Sequence, residues 1–523
     1  MAKNRSSDGP SGPEQSNTEP SGLASQAGQA RLRELRVRHP HFHYEGFQLS
    51  HRPDEAALRV EYRFRLEPDI VFTPKLKIQG VDAARFNRLP RAALDNFFFH
   101  IGLVEMLSYW KAAAPAEIVV HSGVLNAEQI EWWLDLLRRG MGEFFYVNQL
   151  DWRAPDFVRI TSSASASSSS AVIPAAVILS VAKDLLFPVE GEEQKQVLRY
   201  AQDDSKKDLV LASGGKDTVV TLETMRAAQR EGGRAFDCLL LNPTKAALAV
   251  VAEAGCAEPI VVRRSIDPKL LELNQDGYLN GHTPFSALLA FMGTAVAALF
   301  GHGRIIVSNE RSAEEPGVEY LGHPINHQYS KTFEFEGKFR AYAAKYLPVG
   351  SGGEFHHVEY VSLLRPLYEL QIAERFARYP QYFQHFRSCN RGQAANAWCG
   401  RCPKCLFVYA VLGPFIDHGQ LIAIFGTDPC AQPEAAEMLR ALLGMDRAKP
   451  FECVGTREET VAALFLTVKH FRDQGIALPP ALREIDETVL QSCTNLPDVA
   501  ARVMGAWTDD HHVPENLIRR LRR

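Results

Sequence analysis

Residues 209–218 read Leu-Val-Leu-Ala-Ser-Gly-Gly-Lys-Asp-Thr, and this stretch decides the fold. A short apolar strand ends in two glycines, and residues 219–230 then follow with the pattern of a helix. Glycine allows positive φ and a close approach to the backbone, and free N–H groups at a helix start attract anionic oxygens. The loop lacks the Walker A spacing, which places four residues between the first glycine and Gly-Lys. We therefore predict a different phosphate-binding loop, made by Ser213, Gly214, Gly215, Lys216, Asp217 and Thr218.

The region from residue 208 to about 350 alternates short apolar strands with helices. Strands are predicted over residues 209–212, 236–241, 260–264 and 304–307, and helices over 219–230, 243–254 and 284–300. This alternation predicts an α/β fold with a parallel sheet that helices cover on both faces. Ligands of such sheets bind at the carboxyl ends of the strands, where residues 213–218, Asn242 and residues 308–312 fall.

The flanking regions have other patterns. Residues 1–38 are rich in Ser, Gly, Pro and Gln, which predicts a disordered tail. Residues 161–207 interrupt the chain with a Ser/Ala run and a polar stretch, either a flexible linker or a translated repeat element. Residues 208–425 are predicted as the nucleotide domain, and residues 426–523 as a helical region with helices at 434–443 and 458–471.

Residues 39–160 are predicted to form an α+β domain. A capping box of Asn126 and Gln129 opens a helix there. The other predicted elements follow from alternating or continuous apolar patterns. They are strands at 58–66, 71–78, 117–121 and 143–147, a buried helix at 94–112, and the capped helix at 127–139.

Composition excludes several classes of function. The chain of 523 residues is 46% hydrophobic and 23% charged, with a net charge of −4. Because no long basic run occurs, nucleic acid is not an expected partner. The longest apolar stretch, residues 285–300, is short for a membrane span, so no membrane partner is expected. Nine cysteines and a polar N-terminus predict a reducing, cytoplasmic location.

Four of the cysteines form a compact motif. Cys389, Cys399, Cys402 and Cys405 have the spacing C-x9-C-x2-C-x2-C. Four thiolates at short spacing predict a closed, structural zinc site, with an iron–sulfur cluster as the alternative. Such a site would hold residues 387–401 near the glycine loop. The remaining cysteines are predicted core thiols: Cys238, Cys256, Cys430, Cys453 and Cys493.

Polar residues between the loop and the cysteines are candidates for the pocket. His282, with Thr283 and Pro284, precedes the long apolar helix and is predicted to cap it. Glu310 and Arg311 follow the strand at 304–307. A dense polar stretch comes next, and it contains Asn326, His327, Lys331, Glu334 and Glu336.

Two resemblances extend this interpretation. The loop at 213–218 resembles that of the PP-loop ATP pyrophosphatases, which cleave ATP between its α- and β-phosphates. The whole pattern resembles the UDP-N-acetylmuramoyl-L-alanyl-L-glutamate epimerase family of peptidoglycan-precursor enzymes, over about residues 42–425. That resemblance is carried by residues 44–47, 144–148, 213–218, 308–312, 326–336 and 398–405.

The second resemblance implies an isomerase. It would invert the terminal L-Glu of UDP-MurNAc-L-Ala-L-Glu to D-Glu while ATP gives AMP and pyrophosphate, with Mur ligases as pathway neighbours. Lys216 and the Gly214 and Gly215 amides would stabilise the pyrophosphate, and Asp217 would help to hold Mg²⁺. The candidates for proton transfer are Glu310, His327, Lys331 and Glu334.

Other functions stay open on the sequence. The loop and the cysteines also resemble 7-cyano-7-deazaguanine synthase, a shorter zinc-containing PP-loop enzyme that adenylates a carboxylate and needs ammonia. A tRNA thiolase is disfavoured because no basic domain is present. A glutaminase-coupled synthetase is disfavoured because Ala2 stands where a nucleophilic cysteine is expected. A non-enzymatic nucleotide-binding module is the last alternative.

Overall fold

The computed structural model describes residues 25–162, 206–351, 354–445 and 448–523. The predicted insert at 161–207 therefore lies almost entirely outside the described residues, as does the tail up to residue 24. Disorder up to residue 38 is wrong for the last part of the tail, because Gln26–Arg38 is a helix. The Ser25 hydroxyl caps this helix, and Leu32 and Leu35 are buried. Residues 1–38 look polar overall, and two buried leucines are too weak a signal to reveal an anchored helix.

One mixed sheet runs through the molecule. Its order is β15-β10-β7-β8-β9-β4-β2-β1-β5-β6, and β3 pairs with β2. The neighbours from β15 to β9 are parallel, as are β1, β5 and β6, while β4 joins β9 and β2 antiparallel. The strands are β1 (His41–Arg52), β2 (Ala57–Leu66), β3 (Ile70–Phe72), β4 (Lys75–Gln79), β5 (Glu117–Val120), β6 (Arg159–Ser162), β7 (Asp208–Leu211), β8 (Phe236–Leu241), β9 (Ile260–Ser265), β10 (Arg304–Val307), β11 (Val318–Tyr320), β12 (His323–Ile325), β13 (Val349–Ser351), β14 (Glu354–His356) and β15 (Glu359–Ser362).

Helices cover the two faces of this sheet. The described α-helices are α1 (Gln26–Arg38), α2 (Ala83–Phe86), α3 (Arg91–Glu105), α4 (Leu107–Trp110), α5 (Ala127–Gly140), α6 (Gly142–Val147), α7 (Lys216–Arg230), α8 (Lys245–Glu253), α9 (Pro268–Gln275), α10 (Phe285–Phe300), α11 (Phe333–Tyr346), α12 (Glu369–Phe376), α13 (Pro403–Leu412), α14 (His418–Phe425), α15 (Ala435–Leu442), α16 (Arg457–Asp473), α17 (Pro480–Thr488), α18 (Leu496–Met504) and α19 (Glu515–Leu521). None of the described helices is both long and apolar enough to cross a membrane.

The apolar strands explain the two cores. Successive side chains of a strand point to opposite faces of the sheet. Leu209 and Ile305 belong to the core that contains α3 and α10, whereas Val210 and Ile306 belong to the core built with the C-terminal helices. Both faces of the central strands are therefore buried, which confirms a mixed α/β fold around a large, mostly parallel sheet.

Strands from both predicted folded domains share this sheet. Lys75 of β4 pairs with Ser265 of β9, so residues 39–160 extend the sheet of residues 208–425. Two antiparallel strands, β4 and β2, make this junction. The sequence patterns revealed the strands of each region but held no local signal for this long-range pairing. The domain boundaries stay a prediction.

Several local predictions need correction. Residues 143–147 belong to helix α6 and do not form a strand. The adjacent Phe144 and Phe145 are both buried, whereas a strand with one exposed face would bury only one of two successive side chains. The predicted strand at 71–78 is two strands separated at Pro74, which has no N–H for the ladder. The predicted helix at 94–112 is likewise split into α3 and α4. The capping box of Asn126 and Gln129 is confirmed.

Candidate active site

The glycine loop (residues 213–218) joins β7 to α7. The helix begins at Lys216, three residues earlier than predicted, and its N-cap residue Gly215 makes no side-chain cap hydrogen bond. The Ser213 N–H donates to Thr218 Oγ1 at 3.0 Å, and the two hydroxyl oxygens lie 2.9 Å apart. The loop is thus closed by its own side chains, while the first N–H groups of α7 lack a side-chain partner and suit an anionic ligand.

The two glycines have different reasons to be glycine. A Cβ on Gly214 would lie 2.9 Å from Ala246 Cβ and 3.0 Å from the Ala247 nitrogen, so the loop packs tightly on the start of α8. A Cβ on Gly215 would have its nearest neighbour, Ser388 Cβ, at 3.6 Å. Gly214 is therefore required by packing, and Gly215 borders open space.

That space is a cavity of about 220 Å³ at the carboxyl ends of β7 and β8. Its walls are the glycine loop, the start of α8 and the segment that leads into the cysteine motif. The Arg387 N–H donates to the Gly214 carbonyl, which ties that segment to the loop. The cysteine segment therefore lies beside the loop as predicted. Asn242 also lines the cavity, but its side chain is hydrogen-bonded to the Arg264 backbone.

Lys216 lies between two carboxylates. Its ammonium is 2.5 Å from Asp217 Oδ1 and also contacts Glu369 Oε2 directly. Lys216 and Glu369 are both buried. Burial alone would lower the pKa of Lys216, but the two carboxylates outweigh it and raise that pKa. Burial and then the Asp217 charge raise the pKa of Glu369 to about 8. One ammonium thus contacts two carboxyl groups, and one of them, Glu369, binds its proton more tightly than an ordinary glutamate.

Glu369 was missed by sequence reasoning. It begins α12, shortly after β15, and β15 neighbours β10 in the sheet. The mostly apolar stretch at 358–364 was a usable signal for a fifth strand, and that strand would have placed the segment after it, residues 365–369, at the ligand-binding edge. The Glu369 N–H donates to Ser312 Oγ at 3.2 Å, so the predicted loop at 308–312 does support this site.

Lys331 and Glu310 adjoin this group. Lys331 Nζ lies 3.8 Å from Glu310 Oε1 and donates to Gln328 Oε1 at 3.0 Å. Burial lowers the pKa of Lys331, but neighbouring acids outweigh it and raise the pKa; besides Cys453 and Glu310, these include Asp217 and Glu369. Four of the predicted catalytic residues are therefore electrostatic neighbours. We call these four and Glu369 the lysine cluster: Lys216, Asp217, Glu310, Lys331 and Glu369.

His327 stands at the border of the lysine cluster. It is buried, and neither ring nitrogen makes a hydrogen bond within the described residues. Burial and then the Lys331 charge lower the pKa of His327 to about 4. The Glu452 backbone acts in the opposite direction and raises this pKa by less. The ring of His282 lies 6.1 Å from that of His327, and burial likewise lowers its pKa to about 4. His282 does not cap α10 as predicted, because Pro284 is the N-cap residue and no side chain caps it.

Three further titratable groups surround the histidines. Lys111 Nζ donates to the Gly281 carbonyl at 2.5 Å, and burial lowers the pKa of Lys111 to about 8. Burial and then the Glu452 charge raise the pKa of Glu143 to about 7. Cys453 acts electrostatically on both Glu143 and Lys331. We call this group the histidine chamber: Lys111, Glu143, His282, His327 and Cys453.

The histidine chamber was not found as a group from the sequence. Lys111 and Glu143 lie in elements predicted as a buried helix and a strand, and Cys453 was predicted to be a core thiol. That prediction holds for Cys238 and Cys430, which are buried, but Cys453 is half-buried and Cys493 is exposed. Groups with strongly shifted pKa values are frequent at functional sites, so the histidine chamber is a candidate for part of the site.

Glu334 lies apart from the two groups. Its carboxylate forms ion pairs with Arg139 at 3.1 Å and Lys338 at 2.8 Å, and its side chain is 45% exposed. The carboxylate belongs to this exposed network of ion pairs. Arg311 places its guanidinium 4.6 Å above the Tyr368 ring, beside a separate cavity of about 610 Å³.

The four predicted metal ligands converge. Sγ–Sγ distances are 3.8 Å for Cys389 and Cys402, 3.7 Å for Cys399 and Cys405, and 3.5 Å for Cys402 and Cys405. A tetrahedron with Zn–S bonds of about 2.3 Å has edges of about 3.8 Å. The geometry therefore fits one zinc ion; a cluster would bind the thiolates to separate iron atoms, further apart.

Two family models match the chain. The MurL N-terminal domain matches residues 34–355, and the MurL C-terminal domain matches residues 385–492. The chain belongs to the MurL family. The first MurL match contains the glycine loop and Lys331, and the second contains the cysteine motif and Cys453.

Curated relatives agree with this family. A Micromonospora protein is 34% identical over 81% of this chain and 85% of its own length. A Salinispora tropica protein is 35% identical over 72% of this chain and 74% of its own length. A Xanthomonas oryzae pv. oryzae protein is 29% identical over 88% of this chain and 92% of its own length. All three are named UDP-N-acetyl-alpha-D-muramoyl-L-alanyl-L-glutamate epimerase. The MurL relatives thus cover this chain on both sides of residues 161–207.

Proposed function

We propose that this MurL chain is an ATP-dependent epimerase that inverts the terminal L-Glu of UDP-MurNAc-L-Ala-L-Glu, a cytoplasmic precursor of peptidoglycan. The names of the curated relatives support the substrate and the inversion. The observation that carries the ATP dependence is the buried Lys216, held between Asp217 and Glu369 at the start of α7, directly after the glycines that line the cavity. We propose that this loop is the ATP site of a PP-loop fold.

The chemistry requires activation of the substrate acid. The α-proton beside an ionised carboxylate is hard to remove, because the resulting enolate gathers extra negative charge. In the proposed reaction, an α-carboxylate oxygen attacks the α-phosphorus of ATP and pyrophosphate leaves. The acyl-adenylate then carries no carboxylate charge, and its Cα proton is more acidic. After inversion, water cleaves the acyl–phosphate bond and releases AMP.

The glycine loop and Lys216 suit the first step. The uncapped N–H groups of α7 and the Lys216 ammonium would stabilise the departing pyrophosphate. Asp217, half-exposed at the start of α7, would hold Mg²⁺, which offsets phosphate charge. A structural zinc ion at the cysteine motif would hold the segment around Arg387 against Gly214.

The histidine chamber suits the second step. Inversion needs a proton acceptor on one face of Cα and a proton donor on the other. Glu143, with a pKa of about 7, can donate or accept a proton at neutral pH. His327, whose ring nitrogens make no hydrogen bond within the described residues, would be the second group. Lys331, the member of the lysine cluster whose charge acts on His327, would hold a substrate carboxylate.

Incubation with UDP-MurNAc-L-Ala-L-Glu and ATP in D₂O tests the proposal. We expect D-Glu with deuterium at Cα, together with AMP and pyrophosphate. Lys216→Met should abolish all three products, while Lys338→Met, on the exposed network, should not. Inversion without ATP would refute the activation step, and AMP formation that requires ammonia would favour a ligase of the deazaguanine type.

A further inference from the structure

A second group of metal-ligand side chains lies on the first strand, away from the cysteine motif. His41, His43 and Glu67 bring one ligand atom each to within 4.8 Å of one another. His41 and His43 are two positions apart on β1 and share a face, while Phe42 and Tyr44 point into the core. The Glu67 N–H donates to the His41 carbonyl, which places the acid beside both rings.

We propose that His41, His43 and Glu67 form a binding site for a divalent transition ion such as Zn²⁺. His41 Nδ1 is 2.7 Å from one Glu67 oxygen, and His43 Nε2 is 2.8 Å from the other. Imidazole nitrogen and carboxylate oxygen are ordinary zinc ligands, and three protein ligands leave room for water.

The ring nitrogens that do not face Glu67 also have polar neighbours. A histidine that binds a metal usually donates its other N–H to an acceptor, which fixes the tautomer. His43 Nδ1 lies 3.0 Å from His121 Nε2, and His41 Nε2 lies 3.6 Å from a Glu117 oxygen. The His43 ring can therefore donate outward to His121. The Glu117 oxygen lies beyond hydrogen-bond distance of the His41 ring and is its ionic neighbour.

Charge and access allow an ion to enter. The side chain of His43 is 10% exposed, that of Glu67 is 26% exposed and that of His41 is 41% exposed. Arg65 approaches Glu67 at 3.6 Å, but its closer partner is Glu45 at 2.6 Å. Arg63 also pairs with Glu45 at 2.6 Å, so the charge of Arg65 is partly offset by a carboxylate that two arginines share.

The location argues for a structural role. β1 is five strands from β7 in the sheet order, about 24 Å at the usual spacing of about 4.8 Å. An ion bound there would tie β1 to the end of β2 and, through His121, to β5. It would not take part in chemistry at the glycine loop.

Zinc uptake by the full chain tests the site. Protein as purified would be dialysed against micromolar Zn²⁺, and bound metal counted by mass spectrometry. We expect His43→Ala and Glu67→Gln each to bind one equivalent less than the wild type, with unchanged circular dichroism. His51→Ala, on the same strand, is the matched control and should retain full uptake.

Cobalt distinguishes this site from the cysteines. Co²⁺ added to the zinc-containing protein should give visible bands without thiolate charge transfer, and Glu67→Gln should lose them. Equal uptake by the wild type and both variants would overturn the proposal, as would an equal loss in His51→Ala, which would indicate nonspecific surface binding.

Discussion

The ammonium of Lys216 contacts the carboxylate of Glu369, although the two residues are 153 positions apart in the sequence. Asp217 shares the same ammonium, so the contact is part of a group of one ammonium and two carboxyl groups. Breaking a buried ion pair leaves an uncompensated charge. The arrangement therefore holds Lys216 in a fixed position beside the glycine loop, and it makes Glu369 a testable part of the site.

Glu369→Gln should lower the rate of AMP formation by about a hundredfold. The amide keeps the size of the side chain but cannot ionise, and its nitrogen cannot accept a hydrogen bond from Lys216. Coupled pyrophosphate release measures the effect. Glu334→Gln, on the exposed network, is the control and should change the rate less than about twofold. A wild-type rate in Glu369→Gln would contradict a positioning role.

The two glycines of the loop should respond differently to alanine. Gly214→Ala brings a Cβ within 3.0 Å of Ala246 and Ala247, so it should lower the free energy of unfolding by about 1–3 kcal/mol. Gly215→Ala has room and should keep its stability while it weakens ATP binding, because the methyl group enters the cavity. Thermal melting and nucleotide titration of both variants measure this. The reverse ranking of stabilities would refute the packing argument.

The loop shows how far the sequence could be interpreted. The glycines, the apolar strand and the helix are local signals, so the site at 213–218 and its position at the sheet edge could be predicted. The cysteine spacing is local too, and its proximity to the loop was expected from their shared function. The strand pattern before Glu369 could indicate its place at the sheet edge, but no local pattern indicates its contact with Lys216. Lys111 and Glu143 carry no local signal, because their surroundings depend on long-range packing. The strand predicted at 143–147 was wrong for a related reason. A six-residue segment with two adjacent phenylalanines is too short to distinguish the repeat of a helix from that of a strand.

Acid should destabilise the protein through its buried histidines. The pKa of His327 in the folded state is about 4, below its ordinary value of 6.5, so the unfolded chain takes up the proton first as the pH falls. Stability is therefore lost between about pH 6.5 and pH 4. His327→Gln should reduce that loss, measured as the difference in unfolding free energy between pH 7.5 and pH 5. His385→Gln is the control, and an unchanged pH dependence in His327→Gln would contradict the assignment.

Loss of one metal ligand should disturb the nucleotide cavity. Cys402→Ser should release the metal bound at the cysteine motif, because three thiolates bind it more weakly. The segment near Arg387 would then lose its anchor against Gly214, so ATP affinity and the melting temperature should both fall. Metal analysis and nucleotide titration test this, with the exposed Cys493→Ser as control. Full metal content in Cys402→Ser would exclude the tetrahedral site.

The histidine chamber predicts a separation of the two chemical steps. Cys453 acts electrostatically on Lys331 and Glu143 but makes no hydrogen bond to the glycine loop within the described residues. Cys453→Ser should therefore slow inversion and deuterium exchange at Cα by about tenfold or more, while AMP formation changes little. Cys430 is a buried thiol of the C-terminal core, and Cys430→Ser should change the rate of neither step. If both steps slowed equally in Cys453→Ser, the thiol would act on substrate binding as a whole, and the separation of the two steps would be refuted.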